Sequence, residues 1–186
     1  MSTCYRARQR PPPGCATMSA APQIRHGGFA PVASAPERLV VGGFRAWMAG
    51  YDTGDIGYWE TAWNDFAAAL GPEMAKPAVT ALSSWVKTVR SCSARPIQCF
   101  AFDCAAFCKD ECAALALVSA CQHRDQCQAR ATAFLLTGLS ASVDPTVASA
   151  DRFAAALDET GQRLRPLPEC RACHLFAGPW DTAPKH

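Results

Sequence analysis

The stretch that decides the fold is Asp55–Leu70, DIGYWETAWNDFAAAL. Ile56, Trp59, Trp63, Phe66 and Leu70 recur at intervals of three and four, while Glu60, Asn64 and Asp65 take other faces. That is the period of an amphipathic α-helix and not the alternation of a strand. Asp55 supplies an N-cap acceptor. Gly71 and Pro72 close the helix and open the next, since glycine suits the residue after a helix and proline the first residue within one.

The same period extends on both sides. Upstream, Leu39, Val40, Phe44, Trp47 and Met48 predict a first helix from Glu37, broken at Gly50–Gly54. Downstream, Ala75, Val79, Leu82, Val86 and Val89 predict a third, with Pro77 marking a late start and Pro96 a stop. After a connector over 95–102, Asp103 is expected to cap a fourth helix running to about Cys121. A polar break at His123–Gln126 leads to a fifth helix ending near Thr137 and Gly138. Asp144 and Pro145 open a sixth, which Gly161 ends. No strand pattern of useful length and no internal repeat is present. The expected fold is all-α: a single bundle of five to six short helices. Residues 37–162 form the helical domain. Residues 1–36, rich in proline and arginine, and 163–186, holding proline and cysteine, are expected to be disordered tails.

Composition narrows the function. The 186 residues suffice for one domain, and 49 % are hydrophobic, enough for a core. The net charge of +2 is unevenly spread. Arg6, Arg8, Arg10 and Arg25 precede any acid, and the remaining residues carry 14 basic and 16 acidic side chains. The helical body is therefore not a basic nucleic-acid surface. No apolar run approaches the roughly 18 residues of a membrane span. The basic N-terminus is followed by Pro11–Gly14 and not by an apolar signal core, so a cytoplasmic protein is expected.

Eleven cysteines are many for such a chain. An odd number in a reducing compartment argues against a disulfide framework. Metal ligation, thiol redox chemistry and plain packing remain. Cys99, Cys104, Cys108 and Cys112 are the leading candidate ligands, with Cys121, His123 and Cys127 in reserve. On one continuous helix Cys104 and Cys112 would stand about 12 Å apart along the axis. Zinc holds each thiolate at ~2.3 Å, so one ion cannot take all three. Pairs four residues apart share a face and can chelate. Glu111 projects into the same stripe, where a carboxylate is costly unless paired, ligating or at the solvent end. Sulfur-rich donors suit zinc, copper(I) or an iron–sulfur cluster.

Weaker signals point elsewhere. Cys170, Cys173 and His174 spell the haem-attachment spacing, but that modification needs export. A second set of metal ligands is the better minority reading. Trp47, Tyr51, Tyr58, Trp59 and Trp63 read as packing before they read as a ligand pocket. No nucleophile elbow, phosphate loop or His-Glu-x-x-His pattern occurs. The expectation is a small metal-binding protein, acting as sensor, carrier or assembly factor and working with a protein partner. The competing readings are a non-catalytic helical adaptor whose cysteines pack, and a thiol-based redox protein.

Overall fold

The computed structural model describes residues 33–102 and 104–166. Of the tails expected at 1–36 and 163–186, residues 1–32 and 167–186 lie outside them. Six α-helices follow one another: α1 Ala35–Thr53, α2 Gly57–Leu70, α3 Pro72–Cys92, α4 Lys109–Gln122, α5 Gln126–Thr137 and α6 Val143–Glu159. A short 3₁₀ turn at Ser140–Ser142 precedes α6, and no strand occurs among the described residues. The all-α bundle is as the periodicity predicts.

Helix α1 starts slightly earlier than Glu37. The Ser34 hydroxyl accepts the Glu37 N–H at 3.4 Å, and the Glu37 carboxylate accepts the Ser34 N–H at 2.6 Å. This reciprocal pair satisfies two amide donors that a helix start leaves open. Gly54, at φ 73°, ends α1 in the left-handed region. Helix α2 then folds back, and Gly50 lets it come close: a β-carbon there would lie 2.2 Å from the Trp59 indole nitrogen.

The predicted stripe of α2 is rotated. Ala62 and Phe66 are its buried residues, whereas Ile56 is 61 % and Trp63 37 % exposed. Helix α2 lies at the edge of the bundle, packed on α1 and α3. An edge helix needs only a narrow apolar face, so the outer members of a wide stripe stay in water. Pro77 does not delay α3, which begins at Pro72 and carries Pro77 inside. Burial of Ala75, Ala78, Leu82, Trp85, Val86 and Val89 outweighs the one backbone hydrogen bond that proline forgoes.

The centre of the core is aromatic. The Trp85 ring of α3 stacks on Phe153 of α6 at 5.4 Å and meets Phe44 of α1 at 5.3 Å. Gly43 admits the neighbouring helices, since a β-carbon would come within 2.8 Å of both Leu82 and Phe66. Helix α4 is buried over Ala113–Gln122, nearly all round, against α1, α5 and α6. It is the central helix, and its alanines allow that close packing.

The fourth helix departs most from expectation. It begins at Lys109, with Cys108 as N-cap, and residues 104–108 are not helical. Cys104, Cys108 and Cys112 therefore do not form a stripe on one helix. At the other end, Gly161 turns the chain (φ 73°), and residues 162–166 run back over α4. Leu164 is 2 % exposed there, so the segment just after 162 is packed.

Candidate metal centre

The loop before α4 is held by two charges buried far apart in sequence. Arg45, midway along α1, is 5 % exposed, and Glu111, in the first turn of α4, is fully buried. The Arg45 guanidinium donates to the two Glu111 carboxylate oxygens at 2.6 and 3.0 Å. Two further N–H groups donate to the Cys104 carbonyl at 2.8 Å and the Ala106 carbonyl at 2.7 Å. Glu111 in turn accepts the Phe100 N–H at 2.9 Å and the Cys108 N–H at 2.7 Å. This explains why 104–108 is not helical: the carbonyls and amides that a helix would pair internally are taken by Arg45 and Glu111.

A second pair braces the outer side. Arg95 donates to both Asp110 oxygens at 2.6 Å, and Asp110 accepts the Gln98 N–H at 2.9 Å. Burial disfavours the charged forms of Glu111 and Asp110. The arginines and backbone amides outweigh it and hold both carboxyls below their ordinary range. The expected carboxylate on the cysteine stripe is thus paired, not ligating. Desolvating such an ion pair costs several kcal/mol per ion, repaid only when every remaining hydrogen-bonding group is matched. Here the loop's own backbone supplies two carbonyls to Arg45 and two amides to Glu111.

The thiols sit around this brace. Cys108 caps α4 and donates its thiol hydrogen to the Gln98 carbonyl at 3.1 Å. Cys112 lies one turn on, at the spacing that shares a helix face. Cys99 and Cys112 both lie in the electrostatic field of Cys108 and Glu111. Burial, reinforced by these neighbours, pushes Cys99 up to about 12 and Cys112 to about 11. Cys108 is raised as well, again chiefly by burial. Protonated thiols are poor nucleophiles, which weighs against the redox-enzyme reading.

The reserve residues form no part of that group. Cys121 lies nine residues beyond Cys112, about 13 Å along the axis. It is buried and, beside Asp151, raised to about 12. The His123 ring nitrogen Nε2 is 3.0 Å from the Leu164 carbonyl. Cys127 is exposed at the start of α5. Cys104 contributes its carbonyl to Arg45, and its half-buried thiol, like that of Cys99, lies in the electrostatic field of the Arg45 guanidinium. Among the described residues no three His, Cys, Asp or Glu side chains are grouped to hold a metal ion. Cys170, Cys173 and His174 lie outside the described residues.

Sequence reasoning missed Arg45, Arg95 and Asp110. One signal was available: Arg45 interrupts the apolar run around Phe44 and Trp47, as Glu111 interrupts the cysteine stripe. Two opposite charges stranded on core faces are candidates for each other.

No family model matches the chain, and neither the curated proteins nor the solved structures searched gave a match. Among the described residues no helix is long and apolar enough to cross a membrane.

Proposed function

We propose that this is a non-catalytic metal-binding protein, a carrier, sensor or assembly factor for a thiophilic metal: zinc, copper(I) or an iron–sulfur cluster. The observation that supports it most is the Arg45–Glu111 brace. A buried ion pair is a costly way to hold a loop, and all its remaining hydrogen bonds end on the backbone between Phe100 and Cys108. The loop it holds carries Cys99, Cys104 and Cys108 and leads directly into Cys112. Half-buried neutral thiols beside a carboxylate are poor nucleophiles, yet they ionise readily when a cation replaces the proton. The seven described cysteines are all free, as work in the reducing cytoplasm requires. Anaerobic purification with metal analysis and a visible spectrum tests the proposal. We expect near-stoichiometric metal that is lost in Cys108→Ser/Cys112→Ser. Metal-free protein even after reconstitution with each of the three would overturn it.

One observation favours a second reading, a helical interaction module. Phe134 and Leu135 on α5, and Leu139 just after it, are 45–46 % exposed. Clustered apolar exposure of this kind marks protein-binding surfaces. The two readings are compatible, because a metal carrier or sensor also needs a protein partner.

A further inference from the structure

Between α3 and α6 the surface opens into a groove of about 520 Å³, lined by Lys76, Pro77, Thr80, Ala81 and Ser84 of α3 and Arg152 of α6. The five α3 residues fall at i, i+1, i+4, i+5 and i+8. They share one face of the helix and span about 12 Å along its axis. The two helices are joined by the Trp85–Phe153 stack. Pro77, Thr80, Ala81 and Ser84 are short side chains beside that contact, and they leave a furrow. Its volume lies within the ~300–1,000 Å³ of small-molecule sites, which combine an apolar lining with a few polar groups.

Here the apolar part is the Pro77 ring, the Ala81 methyl and the Thr80 methyl. The Thr80 hydroxyl is already engaged, donating to the Lys76 carbonyl at 2.8 Å. The donors left to the groove are the Lys76 ammonium, the Arg152 guanidinium and the Ser84 hydroxyl. Arg45, Arg90, Arg95, Arg130 and Arg165 each meet a carboxylate. The Lys76 and Arg152 side chains have no hydrogen-bond or ion-pair partner among the described residues. No acid lines the groove. Glu73, the one acid of α3, stands a turn before Lys76 and is not part of the lining. Asp151, next to Arg152 in sequence, lies beside Cys121 of α4, and Asp144 pairs with Arg130 of α5. Two like charges left unpaired on one groove repel each other, and an anion between them relieves that repulsion.

We propose that this groove binds an amphipathic organic anion: a phosphate monoester on an apolar body, its phosphate held by Lys76 and Arg152 and its body laid along Pro77 and Ala81. A phosphate monoester carries about −1.5 to −2 charges at neutral pH, which matches two cations. The guanidinium fork engages two of its oxygens at once. The apolar body displaces water from the proline ring and the alanine methyl. A free metabolite and a lipid headgroup share this chemistry. The site is independent of the metal-binding reading.

Hexyl phosphate, inorganic phosphate and hexanol are titrated in turn into the isotope-labelled full chain, and the backbone amides of residues 76–84 and 149–153 are followed by nuclear magnetic resonance. We expect hexyl phosphate to shift these amides saturably and to bind at least ~10-fold more tightly than inorganic phosphate, because part of its chain leaves water. Hexanol should not saturate them. Lys76→Gln and Arg152→Gln should each weaken hexyl phosphate by about 5-fold, whereas Lys87→Gln, which removes a charge of α3 outside the groove, should bind as wild type. All three side chains are exposed, and circular dichroism checks that the variants stay folded. Sedimentation with phosphatidylcholine vesicles, with and without phosphatidic acid, distinguishes the sources. Retention that needs phosphatidic acid and is lost in Lys76→Gln/Arg152→Gln supports a headgroup. No retention, with hexyl phosphate bound, supports a free phosphate ester. Inorganic phosphate binding as tightly as hexyl phosphate would leave an adventitious ion only and overturn the proposal. So would the absence of a saturable shift, shifts confined to other residues, or equal weakening by Lys87→Gln.

Discussion

Two parts of the molecule are stabilised in different ways. Around α3 and α6 the chain is held by apolar stripes, with Trp85 stacked on Phe153 and Leu82, Val86 and Leu157 buried about them. Around the start of α4 the chain is irregular, and charge holds it: Arg45 with Glu111, Arg95 with Asp110. In the first part many interchangeable contacts share the load. In the second a few groups each satisfy several partners, and none can be replaced singly. Redundant packing makes a scaffold, whereas a matched polar network specifies one backbone conformation.

The contrast can be broken from either side. Phe153→Ala should have the largest effect, about 4 kcal/mol lost to unfilled core space. It should lower the urea midpoint while leaving unchanged the metal content that the proposed function expects of the folded fraction. Loss of metal from fully folded Phe153→Ala would mean that the two parts are not separable. Glu111→Gln comes next, at about 3 kcal/mol, because it strands the buried Arg45 charge. The double variant Arg45→Met/Glu111→Leu should recover most of that stability. The loop amides from Phe100 to Cys108 should nevertheless exchange with solvent much faster than in the wild type. Unchanged amide protection would show that the ion pair is not what holds the loop.

The smallest effect concerns residues 162–166, the strap that runs back over α4. Burial opposes the Glu37 charge, but Arg165 and the Ser34 amide prevail and hold its carboxyl below the ordinary 4.5. A carboxyl depressed in the folded state stabilises above its unfolded value, and the contribution vanishes as pH falls through the folded one. Amide protection at Leu164 should therefore be flat from neutral pH to about 5 and fall below ~4. Glu37→Gln should remove that dependence while keeping the helix cap. A pH-independent Leu164 amide in the wild type would contradict the assignment.

How far the sequence was legible follows the same division. Leu82, Val86 and Val89 lie in the core as their spacing predicts, because for them burial is decided by period alone. The spacing of Ile56 and Trp63 was equally regular, yet both remain exposed. Periodicity reports a face but not how many neighbours will cover it. The start of α4 was misplaced by several residues because no local signal encodes Arg45 taking the carbonyls of Cys104 and Ala106. Those partners are 59 and 61 residues away. Of the seven candidate ligands, the structure brings Cys99, Cys104, Cys108 and Cys112 to the start of α4 and leaves Cys121, His123 and Cys127 at its other end. Only the path of the chain could make that separation.

The Arg165–Glu37 contact joins residues 128 apart, nearly the whole span of the described fold. A contact of that sequence separation carries a high loop-closure cost and forms only once the helices between have assembled. In chain order the first five helices precede residues 162–166. Until that segment docks, the Gln122 amide and the Ser119 hydroxyl at the end of α4 have only water as partner. Docking of residues 162–165 therefore needs α1 and α4 already side by side, since the same short segment contacts both. A protease that cleaves after Gly161 would test completed from nascent chains, sparing the first and cutting the second.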